Sequence, residues 1–116
     1  MNLQRQAAAD RTARIRELND AFRKSFAGGK IVMTASVAEL PDMVRATALL
    51  EVTRFDHFTA DNDPHGEHDF GSFDLVGRTF FWKIDTYDEN MECGSEDPAD
   101  PKKTTRVLTL MLAEDY

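Results

Sequence analysis

The sequence predicts an α+β fold: a mainly antiparallel sheet of about four strands with two helices packed on one face. Three observations carry this. Ile15, Leu18, Phe22 and Phe26 recur at spacings of three and four, which is one stripe of a helix. Phe73 and Leu75 alternate with Ser72 and Asp74, and Phe80, Trp82 and Ile84 alternate with Phe81, Lys83 and Asp85, on either side of Val76-Gly77; that is a hairpin pattern. Leu108, Leu110 and Leu112 also alternate, near the end of the chain.

Each element follows in order. The stripe places a helix over residues 7–27, closed by Gly28-Gly29 as a left-handed cap, while residues 1–6 have no apolar anchor and are expected to fray. Residues 30–34, KIVMT, are short, β-branched and apolar, and read as a strand. Ser36 to Glu39 has the spacing of a capping box and predicts one helical turn. Pro41 suits the first turn of a second helix that runs to Phe55–Phe58, with Val44, Ala48, Val52 and Phe55 on one face. Two hairpin strands follow at 68–75 and 78–87. An acidic, proline-bearing connection covers 88–103, and the last strand lies at 104–113, with helix as its alternative. The core is expected to gather Phe22, Val44, Val52, Phe73, Phe80, Trp82, Ile84, Leu108 and Leu110.

With 116 residues, 41% hydrophobic and 30% charged, the chain fits a single domain over 1–116. No apolar run approaches the ~20 residues that span a bilayer, no signal-peptide stretch opens the chain, and Cys93 is the single cysteine, so the expected location is the cytoplasm.

The net charge of −7 is unevenly distributed. Residues 1–30 hold seven bases against three acids (+4), and residues 31–116 hold seven bases against eighteen acids (−11). An acidic surface of that kind repels phosphates and excludes direct nucleic-acid binding through the second half, but suits a basic protein surface. The basic helix 7–27 answers the acidic half of its own chain or of a second copy, so the pattern also permits a homodimer.

One segment concentrates chemistry. Residues 61–70, DNDPHGEHDF, offer Asp61, Asp63, His65, Glu67, His68 and Asp69, the ligand types of a cation site. Counted as a calcium loop from Asp61, the segment places Ser72 where a bidentate glutamate is needed, and a strand follows instead of a helix. For zinc, His65 and His68 with His57 and Cys93 lack the paired spacing of a structural site. The segment therefore reads as an acidic turn, its Asp and Asn side chains accepting from nearby backbone N–H groups, with Asp69 pairing to Arg78 or Arg106 and no metal or other cofactor. Cys93 lies among Glu92, Glu96 and Asp97, which disfavour a reactive thiolate.

NDAFRKSFAGGKIVMTASVAELP, DNDPHGEHDFGSF, FFWKIDTYD and TTRVLTLMLAEDY occur in this order, and together they resemble the family catalogued as domain of unknown function 3768, over roughly Ile15–Tyr116. The resemblance implies a short bacterial protein of the sort often encoded on plasmids and other mobile elements. It implies no activity, catalytic residue or cofactor.

The function expected from these features is a non-catalytic, acidic protein-binding module. Its interface would be built from Asp74, Phe81, Asp85, Tyr87, Asp88 and Glu89, where exposed aromatics beside carboxylates can grip an arginine-rich surface. With the genomic setting that the resemblance implies, this becomes an inhibitor of a host nucleic-acid-binding defence complex, of the anti-CRISPR or anti-restriction type. The alternative is a metal-dependent enzyme or metal-stabilised module using loop 61–69.

Overall fold

The computed structural model describes residues 2–116. The chain runs α1 (Leu3–Ser25), β1 (Gly29–Met33), α2 (Ala35–Ala38), α3 (Asp42–Arg54), β2 (Phe70–Leu75), β3 (Arg78–Tyr87) and β4 (Thr105–Leu112), and ends in a 3₁₀ turn over Ala113–Asp115. The four strands form one sheet in the order β1-β4-β3-β2. β2, β3 and β4 form an antiparallel meander, while β1 lies parallel to β4. The fold is α+β, as the hydrophobic periods predict.

The helical side of the sheet holds the core. Phe22 of α1, Val37 of α2 and Ala48 and Val52 of α3 pack on Phe80, Trp82 and Ile84 of β3 and Leu108, Leu110 and Leu112 of β4, and all are buried. Val44 and Phe73 are partly buried against the same cluster. Gly71 pairs with Trp82 across β2 and β3, and the indole lies over it: a Cβ at position 71 would meet the indole nitrogen at 2.3 Å. The bare glycine is what lets the largest side chain of the core lie flat against the sheet.

Several boundaries differ from the sequence reading. α1 begins at Leu3 instead of residue 7, because the Asn2 side chain accepts from the Gln4 N–H at 2.8 Å and caps it. Met1 lies outside the described residues. The left-handed cap of α1 is Phe26 (φ 57°), not the glycine pair, and Gly29 already belongs to β1. α3 stops at Arg54, short of Phe58, where Phe55 turns extended. The segment at 104–113 is a strand, and its helix alternative is excluded. Asp115 folds back at its end: its carboxylate accepts from the Thr34 hydroxyl at 2.8 Å, the Ser36 hydroxyl at 2.5 Å and the Leu112 N–H at 2.9 Å. These three bonds hold that carboxyl below the usual carboxylate range, with Ser36 the largest contributor.

The β2–β3 turn is tight. Val76 (φ 49°) and Gly77 (φ 75°) both take positive φ, the requirement of a type I′ hairpin. Glycine adopts this freely, whereas a β-branched valine is strained there.

Candidate functional site

Segment 61–69 is organised by its own backbone and by α1. Asp63 is nearly buried, and one of its oxygens accepts from the N–H groups of Glu67 and His68, both at 3.1 Å. Asn62 accepts from Thr59 N–H and donates to the His57 carbonyl, both at 2.8 Å. These are the short-range side-chain-to-backbone bonds that Asp and Asn in turns favour.

One stripe of α1 then straps the segment down. Arg16 donates to the Gly66 carbonyl at 2.9 Å, Asn19 donates to the Glu67 carbonyl at 2.9 Å, and both Asp20 oxygens lie 3.0 Å from Nδ1 of His68. Positions 16, 19 and 20 share a helix face, so three neighbouring side chains meet three consecutive residues of the loop. Arg106 of β4 donates from Nε to Asn19 at 2.7 Å, which ties the strap to the centre of the sheet. Arg23 extends the stripe one turn further. Its guanidinium donates to the Val52 and Phe55 carbonyls, each at 2.8 Å, and to Asp20 at 3.0 Å. It lies against Trp82 and Phe58, 5.3 and 5.5 Å from the ring centroids.

His68 is the junction. Its ring stacks on Phe58, centroids 3.7 Å apart, its Nδ1 faces Asp20, and its Nε2 faces Asp63 at 3.6 Å. Of Asp61, Asp63, His65, Glu67, His68 and Asp69, the structure brings Asp63 and His68 together and adds Asp20, which the sequence reading did not include. The two carboxylates approach opposite nitrogens of the ring, so the three groups do not converge on one point. Among the described residues no three His, Cys, Asp or Glu side chains are placed to hold a metal ion.

Asp69 pairs with neither arginine proposed for it. Arg78 binds Glu114 at 2.5 Å, and Arg106 is taken by Asn19 and by the Pro98 carbonyl at 2.6 Å. Arg78 lies at the hairpin end of β3, six residues along the strand from the Ile84 that faces Asp69, which puts it out of reach. Burial is the largest effect on both Glu67 and Asp69 and raises both carboxyls, with their mutual repulsion second for Glu67.

The expected interface residues sit elsewhere. By the strand register, Asp74, Phe81, Asp85 and Tyr87 all lie on the sheet face turned away from the three helices. The same face carries Phe70 and, reached by the 3₁₀ turn, Tyr116. Phe70 and Phe81 are 5.2 Å apart, and Tyr116 meets Phe81 edge-on at 5.7 Å. Phe70 was legible from the period of β2, since it shares the parity of Ser72 and Asp74. Tyr116 was not, because it follows the strand and depends on how the end of the chain turns. Val107 and Met111 of the central strand are buried even on this side.

The charge of the face is more balanced than the sequence suggested. Lys83 pairs with Asp85 at 3.0 Å, Asp74 accepts from the Thr79 hydroxyl at 2.7 Å, and Lys30 of β1 lies on the same side. The excess of carboxylates lies at one end, in the connection 88–104, where six acids face two lysines. Asp88 and Glu89 line a hollow of about 500 Å³ there, with Glu96 and Lys103. Cys93 is exposed in the same connection.

These observations define a small α+β domain with helices on one side of the sheet and an aromatic, charge-bordered face on the other. The model of the family described as "Protein of unknown function (DUF3768)" matches residues 33–115, and the chain belongs to that family. α1 and most of β1 precede the matched span, although the resemblance in sequence runs from Ile15. No curated protein and no solved structure matches the chain. Among the described residues no helix is long and apolar enough to cross a membrane.

Proposed function

We propose that this protein is a non-catalytic binding module whose uncovered sheet face docks on a basic protein surface. The observation that carries the reading is the gathering of Asp74, Phe81, Asp85 and Tyr87 on one side of the sheet, joined by Phe70 and Tyr116 and bordered by the acids of 88–100. Aromatic rings supply rigid contact area, and carboxylates at the border steer a cationic partner and hold its arginines. Asp88 and Glu89 extend the interface into the acidic hollow. The fitting partner class is a protein whose basic surface ordinarily holds nucleic acid. On a mobile element, such a module would act as an inhibitor of a host defence complex in the cytoplasm, without a cofactor and without touching nucleic acid or membrane itself.

The test is a comparative capture from the native host. Tagged wild-type protein is run beside Phe81→Ala/Tyr87→Ala, beside Asp85→Lys/Asp88→Lys, and beside a control altered on the opposite side, Glu51→Lys. A partner held by wild type and by the control, lost with the aromatic pair, and weakened steeply by salt with the charge-reversed pair is the expected result. Equal capture by all four, or binding indifferent to salt, would sink the reading.

A further inference from the structure

The two outer strands of the sheet are not equivalent. β1 is five residues long and carries Lys30. β2 has six residues, FGSFDL, and none of the devices that blunt a free edge: no proline, no lysine or arginine, and no bulge in its pairing with β3. Its single charge is Asp74.

The register says which backbone groups are free. The Ile84 N–H donates to the Asp69 carbonyl at 2.8 Å, so the pair 69/84 is a hydrogen-bonded one. Alternation makes 71/82, 73/80 and 75/78 hydrogen-bonded too, and the N–H and C=O groups of Phe70, Ser72 and Asp74 point away from the sheet. Among the described residues no side chain or other backbone group bonds to them. Ser72 and Asp74 are exposed. Water can satisfy donors and acceptors along an exposed edge one at a time, but the ligand that meets a row repeating every second residue all at once is an extended strand.

We infer that β2 pairs antiparallel with β2 of a second copy, across a two-fold axis at Ser72, to give a continuous eight-stranded sheet. The edge is self-complementary about that residue. Ser72 meets Ser72 of the other copy, and Phe70 meets Asp74, so no like charges stand opposite one another. Three free donors on each copy make six backbone hydrogen bonds, at positions 70, 72 and 74. A basic peptide strand would also find Asp74, but it would not require a small residue at the centre or an opposed Phe70. The pairing leaves the aromatic face open and makes it two-fold symmetric, so this inference is independent of what that face binds. The net charge of −7 on each copy opposes association and is screened by salt.

The experiment uses the purified chain alone. Sedimentation over a concentration series should give twice the 13.1 kDa chain mass, with dissociation weakened as salt is raised. Ser72→Pro removes an N–H that no group among the described residues uses, so it should keep the native circular dichroism and sediment as a monomer. In a Cys93→Ser background, Ser72→Cys should oxidise to a covalent dimer, because hydrogen-bonded partners lie ~5.5 Å apart at Cα, within disulfide reach. Lys30→Cys on the other edge should still sediment as a dimer but form no covalent cross-link under the same oxidation. A monomer at every concentration overturns the inference, as does a dimer that survives Ser72→Pro or that cross-links at Lys30→Cys and not at Ser72→Cys. If Ser72→Pro fails to fold, the two cysteine variants decide the matter by themselves.

Discussion

Removal of the Arg23 guanidinium should be among the most damaging single changes in this protein. Arg23 is 1% exposed, and its Nη1 closes the end of α3 by donating to the carbonyls of Val52 and Phe55 while Nη2 holds Asp20. Apart from a long bond from the Phe55 N–H to the Val52 carbonyl at 3.4 Å, these are carbonyls that a helix end leaves without backbone partners. Each bond from a charged donor contributes ~1.5–3 kcal/mol, so Arg23→Ala forfeits ~3–6 kcal/mol from these two alone. Against this, Nε of Arg23 is buried with no partner among the described residues, and its removal relieves a cost of ~1–3 kcal/mol. The contacts with Trp82 and Phe58 add ~1–2 kcal/mol to the loss. The net expectation is ~3–5 kcal/mol, the size found when one partner of a buried charged pair is deleted. At about 4 °C per kcal/mol for a domain near this size, the thermal midpoint should fall by ~12–20 °C. Urea denaturation followed by tryptophan fluorescence suits the question, because Trp82 packs against the altered site. Arg23→Lys keeps the charge but not the fork and should lose about half as much. A midpoint change worth less than ~1 kcal/mol for Arg23→Ala would refute the assignment of Arg23 as the cap of α3.

Three further outcomes follow, one from the hairpin turn and two from the carboxyls. Val76→Asn should stabilise the hairpin by about 1 kcal/mol, since asparagine tolerates the positive φ that strains valine; an unchanged urea midpoint would mean that the turn is not strained. The carboxyls give pH effects of opposite sign. Burial raises the folded pKa of Glu67 above 4.5, so its ionised form is a liability to the fold; Glu67→Gln should raise the thermal midpoint at pH ~7, and the gain should vanish below pH ~4, where both states are neutral. The folded pKa of Asp115 is depressed below 3.8, so its contribution is present above that value and is lost as pH falls through the folded value; Asp115→Asn should lower the midpoint at neutral pH and converge with wild type near pH ~2. Parallel pH profiles for either variant and the wild type would contradict these assignments.

The elements were legible wherever a hydrophobic period acted alone. Phe80, Trp82 and Ile84 could be assigned inward from alternation, and the hairpin could be centred on Val76-Gly77, because both depend on neighbours in sequence. What was not legible depends on distant partners. The parallel placement of β1 beside β4 is set by which strand lies between β1 and β3, and no local pattern encodes that. The bond from Asp20 to His68 joins residues 48 positions apart, and the stripe Arg16, Asn19, Asp20 and Arg23 looks in sequence like the solvated face of a charged helix. The interface residues Asp74, Phe81, Asp85 and Tyr87 could be grouped by parity, but the pairing of Lys83 with Asp85 that mutes their charge appears only when the strand is built.

β1 has one neighbour in the sheet, and that neighbour is β4. A ribosome makes β1 early and β4 late. Between Met33 and its partner Leu110 the chain must grow by 77 residues (110 − 33) before the pairing can close. At ~5–20 residues per second this takes roughly 4–15 s, during which an apolar stretch, KIVMT, travels with no strand beside it. The hairpin β2–β3 can form meanwhile, from local contacts. β4 then has to enter between two segments already made and join them in one step. A ribosome stalled within the acidic connection would release a chain that keeps the strap from α1 to the loop 66–68 but lacks the one strand that joins β1 to the hairpin.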